Sequence, residues 1–246
     1  MGQRNEINEC VKVFMKQPAE IEQLQKYNQP PIQAIDFISQ DENDMLVDYF
    51  NTAEKIEKNT GPVVANIDTS NTVFEDIFSR LQTIIGPAKV TTAIIFETPW
   101  AHVIHNDVDT NFKINYKAVT IPLKLWGDVK DEDIKLMMFD QYYYHDGKKF
   151  MNGGTQTKNF YKHGPLLEYT DVSFTNNNGI PKEVTEKYLT HLEPTWLEGL
   201  SIHSYFPWKI NSAIIFDCAR LHSSSDFNAL GVERKMAMSI FTAREK

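Results

Sequence analysis

The chain has 246 residues and a mass of 28.4 kDa, long for a usual domain of about 100 to 200 residues but within reach of all-β barrels and sandwiches, which run to about 250. Hydrophobic residues at 41% supply the material of a core and exclude a wholly disordered, collagenous or coiled-coil chain. No apolar run approaches the roughly 20 residues of a membrane span, and a formal charge of −8 opposes a broad grip on a phosphate backbone, leaving nucleic acid only a local basic groove.

The opening MGQRNEINEC is polar and lacks the apolar centre of a secretory signal, so export is not expected. Met1-Gly2 begins a myristoylation pattern that Glu6 breaks, since that position calls for Ser or Thr. Cys10 and Cys218 are too few for a disulfide framework and have no zinc-like spacing. A cytoplasmic, reducing location is expected.

Residues 1–87 read as a helical N-terminal support. Ile21, Leu24 and Tyr27 recur at helical spacing before Pro30-Pro31, and Ser39 to Glu42 forms a capping box ahead of Leu46, Tyr49 and Phe50. A second such box, Thr72 to Glu75, opens an apolar stripe of Phe74, Ile77, Phe78, Leu81 and Ile85, which Gly86-Pro87 ends. These stripes are packing faces for a sheet.

From residue 88 to 246 the texture turns to short β-branched and aromatic runs between Gly, Asn, Asp and Pro. Strands are expected at 90–96, 103–107, 116–126, 135–144, 166–170, 200–206, 212–217 and 235–242. Eight strands make a jelly roll. An insertion runs from about 145 to 199, and its part at 145–178 is rich in Gly, Asn and Lys, including Lys148, Lys149, Lys158 and Lys162. The expected fold is mainly β with flanking helices, one domain in all.

Two contexts call for a chemical explanation. In AHVIHNDVD, His105 and Asp107 are two apart, so on a strand both side chains leave the same face and offer one metal ion an imidazole and a carboxylate. The same pair also arises in surface loops with no metal. In the second context a strand at 212–217 ends in a turn at 218–220, and His222 follows, placed to reach back over the barrel mouth. On the last strand Lys235, Ala237, Ser239 and Phe241 share one face, and Arg234, Met236, Met238 and Ile240 the other. The methionine face suits burial under helices. The other face then lines the interior, where a cation above small residues and a hydroxyl leaves room for a carboxylate.

His105-Asn-Asp107, then His222, then a basic residue opening the strand KMAMSIF, resembles the Fe(II)- and 2-oxoglutarate-dependent oxygenases, in texture the prolyl-4-hydroxylase-like and phytanoyl-CoA-hydroxylase-like branches. The resemblance covers residues 88–244. It implies a double-stranded β-helix (jelly-roll, cupin-like) core, Fe(II) on His105, Asp107 and His222, and 2-oxoglutarate and O2 as cosubstrates of a hydroxylase. Two His and one carboxylate occupy one face of an octahedral ion and leave positions open for a bidentate oxo-acid and dioxygen. The distal carboxylate of 2-oxoglutarate goes to a basic residue of the last strand. Strand parity gives Lys235 that role, with Ser239 as a helper. Arg234 is the rival, because Arg grips a carboxylate in bidentate fashion and a one-residue slip exchanges the two. Asn211 stands where the family commonly has Gly and tolerates the same left-handed turn.

Other residues carry blander readings. His102, three before His105, is expected on the opposite strand face as a structural or rim residue. His145, His163, His191 and His203 are surface or packing residues, and Asp217 stabilises a turn or supports the metal site from behind. Tyr142 to Tyr144, Trp126 and Trp208 are packing aromatics that also suit a substrate wall, and Ser223 to Ser225 lack a base for hydrolase chemistry. Two rival functions remain: a cupin-like metalloenzyme that does not use 2-oxoglutarate, and a non-catalytic jelly-roll binding protein. The residues do not identify the primary substrate: family texture favours a peptide side chain or a small molecule, and the lysines of the insertion are compatible with an anionic small molecule, a peptide or a nucleotide.

Overall fold

A computed structural model describes residues 27–57, 62–68, 74–109, 115–142, 179–197 and 200–244. Within them the elements run β1 (Ile32–Ala34), α1 (Gln40–Thr52), β2 (Ile56–Glu57), β3 (Val63–Asn66), α2 (Glu75–Ile85), β4 (Lys89–Thr98), β5 (Asn115–Gly127), β6 (Lys135–Tyr142), α3 (Lys182–Tyr188), α4 (Pro194–Leu197), β7 (Ile202–Pro207), β8 (Ala213–Asp217), β9 (Arg220–Ser224) and β10 (Val232–Ala243).

Seven strands form one antiparallel sheet in the order β1-β8-β5-β10-β4-β3-β2, and three form a second in the order β7-β6-β9. A single bridge from His105 to His222 adds the segment before β5 to the free side of β9. From β4 onward the chain therefore visits large sheet, small sheet, large, small, small, large, small, large. That order is the double-stranded β-helix of a jelly roll, and the mainly β expectation holds.

Alternation along β10 decides what each face does. Met236, Met238 and Ile240 join Leu46 and Phe50 of α1 and Ile77, Phe78 and Leu81 of α2 in the largest core cluster, outside the large sheet. Both helices are shaped for this. The Ser39 hydroxyl accepts the Glu42 N–H at 3.1 Å while the Glu42 carboxylate accepts the Ser39 N–H at 2.7 Å, a complete capping box. Arg80 of α2 pairs with Glu42 at 2.8 Å and ties the second helix to the first. The small sheet is covered on its outer side by α3, α4 and their flanks, through Leu189, Leu192, Trp196 and Leu197 against Ile104, Met137 and Leu221. Between the sheets lie two further clusters, one around Phe216 and Met138 and one around Trp208 and Phe227.

Among the described residues, the N-terminal part carries strands beside its helices. β1, β2 and β3 extend the large sheet at both edges, adding to it by backbone pairing that a two- to four-residue run does not announce as a pattern. The regular helix α2 starts at Glu75 behind Phe74, with no side-chain cap; Thr72 lies outside the described residues, as do Ile21, Leu24, Cys10, the expected strand at 166–170 and the insertion at 145–178. α3 and α4 were not expected within the insertion. Asn211 holds φ 66°, the left-handed turn foreseen for it, and its side chain is fixed by Asn43 of α1. No helix of the described residues is long and apolar enough to cross a membrane.

Candidate metal centre

His222 stands on β9, a strand that the sequence does not announce after its turn at 218–220. All five residues of RLHSS are buried, so the polar–apolar alternation that marks a half-exposed strand is missing. Pairing of Met138 with His222 and Leu136 with Ser224 sets His222 and Ser224 on one face of the strand. His105 and Asp107, conversely, are not on a strand. The His105 N–H reaches the His222 carbonyl at 3.0 Å and the His222 N–H returns to His105 at 2.9 Å, but the Asp107 N–H crosses to Cys218 O at 2.8 Å. The segment thus leaves β9 after one bridge and bends over the β8–β9 turn, which is why the expected strand at 103–107 does not form.

The bend brings the three side chains together. Asp107 Oδ2 lies 3.4 Å from His222 Nε2 and Asp107 Oδ1 3.9 Å from His105 Nε2. One ligand atom from each of the three lies within 4.8 Å of the others, and no second group of this kind occurs among the described residues. The ring nitrogens away from the cluster are engaged: His105 Nδ1 donates to Val103 O at 2.7 Å and His222 Nδ1 to Arg220 O at 3.0 Å. Each bond holds the neutral tautomer whose Nε2 lone pair faces the third residue, the orientation metal-ligating imidazoles take. Burial pushes the Asp107 carboxyl up to about 6 against the pull of His105. It also pushes His222 down to about 4, opposed by the Arg220 carbonyl. A carboxylate that is costly to ionise beside two lone pairs fits a divalent cation, which repays the desolvation of all three.

The trio opens into a cavity of about 470 Å³ between the sheets. Lys235 of β10 lines it and is 2% exposed. Its Nζ donates to Ser224 Oγ at 2.8 Å and sits 3.8 Å above the Trp208 ring and 5.0 Å above that of Phe227. No carboxylate pairs with it among the described residues, and burial pushes its ammonium down to about 7. The other buried lysine among the described residues, Lys117, has Asp217 as an ion-pair partner. Ser239 also lines the cavity, whereas Arg234 lies on the outer face, half exposed, bonded to Glu97 at 3.0 Å and stacked 4.3 Å over Trp126.

Several residues fall elsewhere than expected. His102 lines the cavity, because strand parity does not govern an irregular segment; its ring stacks on Phe96 at 5.7 Å and meets His105 edge-on at 5.8 Å. Ser224 holds the buried lysine, a role missed because β9 was not seen as a strand; its i+2 spacing from His222 was the available signal. Asp217 is turned away from the cavity, bonded to Lys117, the Tyr142 hydroxyl and the Gln29 N–H. Trp208 is in the cavity wall and Trp126 is not. His191 reaches the His102 carbonyl from outside at 3.3 Å and His203 is on the surface. His145, His163, Tyr143 and Tyr144 lie outside the described residues.

Fold and site together define a jelly roll with a two-histidine, one-carboxylate cluster and a buried ammonium in one cavity. No family model matches the sequence, and no curated protein does either. Among solved structures, the chain is similar to the non-heme alpha ketoglutarate dependent epimerase SnoN from nogalamycin biosynthesis, at 12% identity over 92% of this chain and 84% of that one, with a TM-score of 0.47. It is also similar to HygX from Streptomyces hygroscopicus with nickel and 2-oxoglutarate bound, at 10% identity over 93% and 87%, TM-score 0.47. A Pseudomonas putida prolyl-4-hydroxylase matches at 9% identity over 93% and 98%, TM-score 0.47.

Proposed function

We propose that the chain is an Fe(II)- and 2-oxoglutarate-dependent dioxygenase that hydroxylates a second substrate. The observation that carries this reading is Lys235: a buried ammonium with no counter-ion among the described residues, in the same cavity as three metal-donor side chains. Leaving a cation in that state is costly unless a ligand supplies the anion. Ser224 and His222 are two residues apart on one strand, a step of roughly 6 to 7 Å. A five-carbon diacid spans the interval, one end at the metal and the other at Lys235. A cupin-like enzyme that does not use 2-oxoglutarate has no general need of a carboxylate anchor at that place.

The overall reaction balances as R–H, O2 and 2-oxoglutarate giving R–OH, succinate and CO2. Bound iron supplies the open coordination positions and the redox chemistry. The chain's own residues do the rest. His105, Asp107 and His222 hold the ion on one side through two lone pairs and a carboxylate. Lys235 and Ser224 take the distal carboxylate and orient the oxo-acid, while Phe96, Trp208, Leu136 and Phe241 keep the cavity poor in water.

Two measurements test the reading. In the first, purified protein is titrated with Fe(II) without oxygen and then assayed for succinate. His105→Ala and His222→Ala are each expected to lose metal and succinate together, and full turnover in either variant overturns the ligand set. In the second, Lys235→Met is expected to raise the 2-oxoglutarate requirement by about tenfold or more, the size of one lost charge-assisted contact, and Arg234→Ala to leave it near the parent value. The reverse order overturns the assignment of the anchor.

A further inference from the structure

Once metal and diacid are in place, the described residues of the cavity wall have no charge left to offer. Among the described residues that line it, only Asp107 and Lys235 carry a full charge. The two positive charges of the ion and the one of Lys235 are matched by Asp107 and the two carboxylates of the diacid. At the roughly 30 Å³ that a water molecule occupies, an upper figure for one non-hydrogen atom, the ten such atoms of 2-oxoglutarate fill about 300 Å³. The cavity of about 470 Å³ retains space beyond that.

The register says where that space lies. Ala237 of β10 pairs with Phe96 of β4, and Phe96 with Val64 of β3, so these three side chains form one row across the inner face of the large sheet. Ile94 and Pro62 flank the row in the cavity wall, and His102 stacks on Phe96 beside the metal ligand His105. This wall lies on the β4 side of β10, away from β5 and β8. β3, added to the sheet beside β4, is what extends it. An ionised group placed there would be desolvated with no partner, whereas an apolar body gains from burial.

We infer that the part of the primary substrate entering this cavity is an uncharged, largely hydrocarbon group that lies on the Phe96–Val64 row beside His102, and that carboxylated, phosphorylated and ammonium-bearing groups are refused there. The inference rests on the oxygenase reading above. It narrows the substrate class to a neutral ring or aliphatic side chain that presents a C–H bond to the metal.

The test uses the full chain loaded with Mn(II) and 2-oxoglutarate. Its probes are cyclohexylmethanol, cyclohexanecarboxylate and cyclohexylmethylammonium, one ring in three charge states. Relaxation of the ring protons by Mn(II) reports residence near the metal, and relaxation of the 2-oxoglutarate methylenes is read in the same sample. The neutral ring is expected to be retained at least about tenfold better than either ion, one ionic desolvation penalty being worth more than that factor. In Val64→Lys that preference is expected to collapse and the carboxylate to gain. The ranking is read on the unsubstituted chain, so it stands whether or not the variant folds. Equal or stronger relaxation of a charged probe, with the diacid relaxed normally, overturns the inference alone. An unrelaxed diacid overturns the oxygenase reading and the inference with it.

Discussion

Lys235 is the residue at which structure and chemistry meet most tightly. Its ammonium is pushed down to about 7 by burial, against about 10.4 in an unfolded chain. Between those values the unfolded state binds the extra proton, so stability rises with pH across that window. Below about 7 both states are protonated and the full cost of the buried cation is present. Denaturant melts of the metal-free protein from pH 7 to 10 are expected to show this rise, and Lys235→Met to abolish it; a flat parent profile would refute the buried, counter-ion-less state. Binding of a diacid works in the opposite sense, because it requires the charged form. The affinity for 2-oxoglutarate is expected to fall above about pH 7, by up to about tenfold per unit. Calorimetry in buffers of different ionisation enthalpy would register the coupled proton uptake. At the metal cluster the acid side dominates. Asp107 ionises near 6, so Co(II) affinity is expected to weaken as pH falls through that value, as a proton displaces the ion.

At the scale of elements, the β8–β9 turn does more than connect two sheets. Cys218 O receives the Asp107 N–H and Arg220 O receives His222 Nδ1, so one turn orients two of the three candidate ligands. Buried charges clamp the turn. Asp217 pairs with Lys117 and accepts the Tyr142 hydroxyl, while Arg220 bonds that hydroxyl and the Phe139 carbonyl. Asp217→Asn leaves Lys117 buried with less compensation and is expected to cost about 3 to 5 kcal/mol in urea unfolding. It is also expected to weaken metal binding by about tenfold or more through the loosened turn. A variant with parent stability would show the pair to be dispensable. This turn also marks the limit of what the sequence discloses. β4, β5, β6, β8 and β10 are legible as β-branched and aromatic runs, and the parity of β10 assigns Lys235 inward and Arg234 outward because Met236, Met238 and Ile240 need a dry face. β9 is buried on both faces and shows no alternation. The segment at 103–107 looks like a strand and is bent by two long-range backbone bonds that no local pattern records. Hence the places of His102 and Ser224 in the cavity are not legible in the sequence, whereas the resemblance groups His105, Asp107 and His222, three residues that the fold brings near one another.

On the scale of the whole molecule, the two halves of the site are held by opposite faces of the same strands. Met236, Met238 and Ile240 face α1 and α2, while Lys235 and Ser239 face the cavity, so the helices fix the position of β10 and thereby of the buried ammonium. Removing side-chain volume from that outer core, as in Leu46→Ala, is expected to cost about 2 to 5 kcal/mol. A metal ion held as proposed provides the complementary measurement, because it would join residues 105 and 107 to residue 222 and so stabilise the folded state of everything between. An ion at a hundred times its dissociation constant adds about 2.7 kcal/mol by mass action. In a chain of this size, at roughly 2 to 4 °C per kcal/mol, Co(II) is expected to raise the melting temperature by about 5 to 10 °C. In His222→Ala the increment should vanish while the Leu46→Ala penalty remains, since one acts through ligation and the other through packing on the far side of the sheet. Were Co(II) to raise the melting temperature of His222→Ala as much as that of the parent chain, the ion would be binding elsewhere and the three-residue cluster would lose its claim to it.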